Sequence, residues 1–173
     1  MAGYHAMAQE SIEAAGGSVA KFIGDGVMAL FGVPETAEDD AERAITAGLA
    51  LQRGFGPIQE RVERRHGAEL GLRVGINTGE IVLAGGDADL VGDAINTAAR
   101  LEAACTPGDV LVGEETWRLT RSHVRYEVLG DVEVKGKHEP VATYRVIDDQ
   151  VGDDDQATPF VGRVDELAQL RAV

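Results

Sequence analysis

Two apolar runs, residues 18–23 and 27–32, flank Gly24–Asp25–Gly26. Both runs are rich in β-branched and aromatic residues. A short Gly/Asp segment between two such runs forces the chain back on itself, which predicts a β-hairpin with Asp-Gly at its tip. Residues 4–15 predict a helix, and Gly16–Gly17 is a strong stop for it. Pro34 closes the second strand.

Helix and strand signals then alternate. Glu38, Asp39 and Asp40 place negative charge where a helix N-terminus favours it, and Ala41, Ala44, Ile45, Ala47 and Leu49 follow at helical spacing. Pro57 is a point where this helix can kink or break before resuming through Arg65. Strands are expected over 72–76, 80–83, 109–113, 126–129, 132–135 and 141–146. Asp93 is the expected N-cap of a helix over 94–104, and 114–121 predicts a short helix. Interleaved strands and helices give α/β or α+β. Residues 148–158 are acidic, with no core-forming run, and predict a linker; Val164–Leu170 opens another helical pattern.

The chain has 173 residues, enough for one domain with a real core. A net charge of −14, with 30 acidic against 16 basic residues, excludes a general DNA- or RNA-binding role, because phosphate backbones need clustered cations. A nucleotide site needs only a few local cations and a metal ion, so it stays open. Cys105 is the single cysteine, so no internal disulfide or Cys/His metal cluster is built on it. No stretch approaches a membrane span and no signal peptide opens the chain, so the expected location is cytoplasmic.

Several residues carry chemistry, each with a plain reading beside it. Asp25 reads as a turn residue, or as a carboxylate at a hairpin tip that binds Mg²⁺ on a triphosphate. Lys21 reads as a solvated strand lysine, or as a polar group on the same strand face as that tip. Asn96 and Arg100 are one helical turn apart. They read as exposed residues, or as an amide and a guanidinium presented together to a phosphate-bearing ligand. Gly75–Gly79 lacks P-loop spacing, Cys105 and Trp117 read as core, and the four histidines lack ligand spacing.

Taken together, the blocks Gly16–Asp25, Val27–Gly32, Arg73–Glu80, Gly92–Glu102 and Val134–Val141 stand in the order found in class III adenylyl/guanylyl cyclases, and residues 1–147 resemble that catalytic domain. The resemblance implies an α+β, ferredoxin-like fold: a mostly antiparallel sheet with helices packed on it. It implies that Asp25 is a metal-binding aspartate and that Lys21 reads the adenine base with Asp89. Asn96 orients the ribose, Arg100 stabilises the pentavalent phosphorus, and Lys135 contacts the triphosphate. ATP is then the substrate, cyclic AMP and pyrophosphate the products, and two Mg²⁺ or Mn²⁺ ions the cofactors. The partner is a second copy in a head-to-tail homodimer, so that Asp25 of one chain works with Lys21, Asn96 and Arg100 of the other.

Two departures qualify the resemblance. The family's first strand, with another metal aspartate, and the helix after it have no counterpart before residue 4. Only Asp25 then remains as a metal ligand, and the fragment by itself is expected to be inactive. Residues 159–173 resemble the opening of the ATPase modules that follow cyclase domains in large bacterial regulators, which implies an attached ATPase. The alternative is a catalytically silent cyclase-like module that dimerises or senses nucleotide and regulates such an ATPase or a transcriptional regulator.

Overall fold

The computed structural model describes residues 2–84, 89–132 and 141–148. Helix α1 (Ala2–Ala14) ends where the N–H groups of Gly16 and Gly17 bond the carbonyls of Glu13 and Ile12, each at 2.9 Å. The hairpin follows as β1 (Ser18–Ile23) and β2 (Gly26–Leu30), antiparallel, with a register shift between Val19 and Lys21. Ile23 pairs with Gly26, so the turn is Gly24–Asp25 and not Asp-Gly. Gly24 takes φ +62°, a conformation open to glycine at little cost.

Helix α2 (Asp40–His66) is continuous for 27 residues and passes through Pro57 without a break. The apolar residues Leu51 and Phe55 are buried just before the proline, whose ring lies on the exposed side. Tertiary packing therefore carries the helix past a residue that disfavours it locally. Gly67, at φ +62°, caps α2 and donates its N–H to the Glu63 carbonyl at 2.8 Å.

The remaining elements are β3 (Val74–Ile76), β4 (Val82–Ala84), β5 (Asp89–Val91), α3 (Asp93–Ala104), β6 (Val110–Gly113), α4 (Glu114–Thr120), β7 (Arg125–Val132) and β8 (Val141–Asp148). Gly92 stands at the N-cap of α3 and Asp93 is its first helical residue, so Asp93 favours the helix through its charge near the N-terminus rather than as the expected cap. β7 continues through Gly130–Asp131, where a break between two strands was expected, and residues 133–135 of the second expected strand lie outside the described residues. Gly130, at φ +82°, absorbs a register shift after Val128 instead of ending the strand. The expected linker beyond Asp148 and residues 159–173 lie outside the described residues.

The main sheet has the order β3-β6-β8-β7. β3 runs parallel to β6, and the other pairs are antiparallel, so the sheet is mixed within an α+β fold. β1-β2 and β4-β5 form two separate hairpins. Alternation along β6 divides the core. Val110 and Val112 pack with Ile45 of α2, Val124 and Val146, with Trp117 of α4 and Tyr144 against them. Leu111 points the other way, to Leu101 and Cys105 of the α3 segment. Trp117 and Tyr144 stack with centroids 4.5 Å apart. Among the described residues no helix is long and apolar enough to cross a membrane.

Ile45 is fully buried at the centre of the larger cluster. Ile45→Ala should lower the unfolding free energy by about 2–5 kcal/mol in a urea titration.

Candidate active site

The site residues fall into two groups on different parts of the fold. Lys21 and Asp25 belong to the β1–β2 hairpin, which packs on α1. Asn96 and Arg100 belong to α3, which packs on β3 and β6. No extensive packing joins the hairpin to α3.

The hairpin presents its charges outward. Lys21 is exposed and lines an open groove of about 440 Å³ with Gln9, Glu13 and the strand backbone from Gly17 to Phe22. Asp25 occupies the turn itself, which frees its carboxylate from the strand ladder. Behind the hairpin, His5 of α1 stacks on Phe22 with ring centroids 4.4 Å apart, and its Nε2 is buried without a hydrogen-bond partner. Tyr4 lies close enough to Asp25 to feel its charge. Burial first, and the Asp25 carboxylate second, push the Tyr4 phenol above its ordinary range. Neither aromatic neighbour was legible in the sequence, because both reach the hairpin from the first turn of a separate helix.

Helix α3 lies unusually close to β3. A Cβ on Gly75 would come within 2.4 Å of both the Ala98 carbonyl oxygen and the Glu102 nitrogen. Only a residue without a side chain permits that approach. Thr97 and Leu101 are buried and fix the inward face of the helix. Asn96 is exposed and Arg100 half-buried, one turn apart on the same side. Arg73 pairs with Glu102 at 2.8 Å, which leaves that carboxylate engaged away from Arg100. The Nη1 of Arg100 is buried and has no hydrogen-bond partner among the described residues. A desolvated guanidinium nitrogen without an acceptor is costly, and an anion would relieve the cost.

Asp89 opens β5 opposite Ala84. Its side chain, and all of Lys135, lie outside the described residues. The turn carboxylate of Asp25 is a hard oxygen donor of the type Mg²⁺ and Mn²⁺ take, and such ions draw most other ligands from phosphate and water. Among the described residues no group of three or more His, Cys, Asp or Glu side chains converges on a metal position. Asp25 therefore fits such an ion as a single carboxylate donor. Cys105 is buried, and burial pushes its thiol pKa up, which suits a core residue rather than a nucleophile.

Two outcomes test this geometry. Gly75→Ala should destabilise the fold by about 1–3 kcal/mol in thermal or urea unfolding, because the methyl meets α3 backbone. Tyr4 should titrate above the usual phenol value of about 10 in an ultraviolet pH titration referenced to Tyr4→Phe, and Asp25→Asn should bring it down. Since the fold holds this phenol neutral, its contribution to stability is full below the ordinary pKa and is lost as pH rises through the elevated one.

The family model described as "Adenylate and Guanylate cyclase catalytic domain" matches residues 4–148. The chain is 34% identical over 133 residues to the guanylate cyclase soluble subunit beta-2 of Rattus norvegicus, covering 72% of this chain and 19% of that protein. It is 32% identical over 156 residues to the terminal-differentiation specific adenylate cyclase of Dictyostelium discoideum, covering 84% of this chain and 7% of that protein. Its fold is similar to the crystal structure of the adenylyl cyclase CyaB from P. aeruginosa, with a TM-score of 0.77 and 30% identity over 87% of this chain and 81% of that one. The chain thus spans a small part of the curated relatives' length.

Proposed function

This chain belongs to the adenylate and guanylate cyclase catalytic-domain family, and we propose that it forms cyclic AMP from ATP as one half of a two-chain active site. The observation that carries the proposal is the buried, partnerless Nη1 of Arg100, one helical turn from Asn96 on α3. A guanidinium held in that state is set to receive charge that develops on a phosphorus centre.

The reaction is an attack of the ribose 3′-oxygen on the α-phosphorus. A new O3′–P bond forms as the 3′-hydroxyl releases its proton to solvent, and the bond from that phosphorus to the bridging oxygen of pyrophosphate breaks. Asn96 orients the ribose so that the attacking oxygen lines up with the leaving group. Arg100 stabilises the added charge on the equatorial oxygens. Asp25 holds a divalent cation, which when bound supplies Lewis-acid polarisation of the phosphoryl oxygens. Lys21 donates to a ring nitrogen of adenine, Asp89 accepts from the exocyclic amine, and Lys135 contacts the triphosphate. That donor–acceptor pattern favours ATP over GTP.

The separation of hairpin and α3 supports a head-to-tail homodimer. In that arrangement Asp25 of one protomer faces Lys21, Asn96 and Arg100 of its partner. The resemblance of residues 159–173 to the opening of ATPase modules supports the further proposal that such a module is covalently attached to this domain.

The test uses the full-length protein with ATP or GTP and Mn²⁺ or Mg²⁺, reading cyclic nucleotide. ATP should be converted preferentially. Arg100→Ala should lower kcat by about 10²-fold or more, and Lys21→Ala should narrow the preference for ATP over GTP. Nucleotide binding without any turnover would replace this reading with that of a silent nucleotide-sensing module.

A further inference from the structure

Arg100 and Asn96 can act only if α3 is held at a fixed height and rotation. Gly75 permits its close approach but donates nothing to it, and the N-cap residue Gly92 supplies no side-chain hydrogen bond. The first turn of α3 is instead tied from outside. The Nδ2 of Asn77, just beyond β3, donates to the Ala94 carbonyl at 3.3 Å. Ala94 lies two residues before Asn96 and six before Arg100.

Asn77 is itself immobilised. A Cβ on Gly113, at the end of β6, would stand 2.3 Å from its Oδ1, so the amide is seated directly against the backbone of the central strand. The next residue is locked separately: the hydroxyls of Thr78 and Thr116 are 2.9 Å apart, and Thr116 of α4 is fully buried. The loop after β3 is thus bonded to α4 through Thr78 and to α3 through Asn77.

We propose that Asn77 is a positioning residue of this cyclase domain. It transmits the rigidity of β6 and α4 to the first turn of α3, and so sets where Asn96 and Arg100 meet the nucleotide. It does not touch the substrate. Errors of about 1 Å in such placement cost catalysis heavily while leaving the groups themselves intact. The proposal rests on the reading of Asn96 and Arg100 as the ribose- and phosphorus-directed groups.

The experiment measures kcat and KM for ATP in the full-length protein, together with melting temperature, for Asn77→Ala, Asn77→Asp, Arg100→Ala and the double variant N77A/R100A. Asn77→Asp keeps shape and loses the donor, which guards against a simple failure to fold. Each Asn77 variant should lower kcat about tenfold, the loss of one aligned hydrogen bond, with KM changed less than about twofold. The double variant should be no slower than Arg100→Ala alone, because the two changes disable one unit. Unchanged kcat in both Asn77 variants overturns the proposal, as does a double variant whose losses multiply, or a rise in KM with kcat intact. Arg100→Ala with full activity, or an inactive wild-type protein, removes the underlying reading, and the proposal falls with it.

Discussion

The rest of the structure depends on β6. All four of its residues are buried, and its side chains alternate between two helical layers. Val110 and Val112 anchor α2 and α4 on one face, and Leu111 anchors α3 on the other. Its two edges are also taken, by β3 in parallel and β8 in antiparallel. A strand with both faces and both edges committed cannot shift by one residue without exchanging its two cores. Helix α3, which carries Asn96 and Arg100, is positioned relative to that strand.

From this fixed centre the molecule becomes progressively more open. The β1–β2 hairpin is tied mainly to α1, and its turn projects Asp25 free of the strand ladder. Lys21 on the same hairpin is exposed. In the proposed reaction both halves are needed: α3 for the charge on phosphorus, and the hairpin for the metal ion and the base. Two buried side-chain nitrogens have no hydrogen-bond partner among the described residues, His5 Nε2 behind the hairpin and Arg100 Nη1 on α3.

Much of the fold was legible because it follows from local chemistry. The hairpin follows from the glycines at 24 and 26, and the end of α1 from Gly16–Gly17. Other features were not, among them these. Pro57 suggested a break in α2, but burial of Leu51 and Phe55 outweighed a local preference on the solvent side. Gly130–Asp131 suggested a strand end, but continued pairing with β8 absorbed it as a register shift. Asp93 suggested a cap, but Gly92 takes that place. In each case long-range packing or pairing decided a point on which local propensity is weak.

The sequence by itself determined the chemistry: a carboxylate in a tight turn, a lysine on the strand before it, an amide and a guanidinium one helical turn apart, and the ordered blocks shared with cyclases. These depend on residue type and short spacing, which a linear chain records directly. Only the tertiary structure decided that Arg100 keeps an unsatisfied nitrogen, that Tyr4 and His5 stand behind the hairpin, and that Asn77 holds the first turn of α3. Those facts join residues from separate elements, and only packing around β6 brings such elements within hydrogen-bond distance.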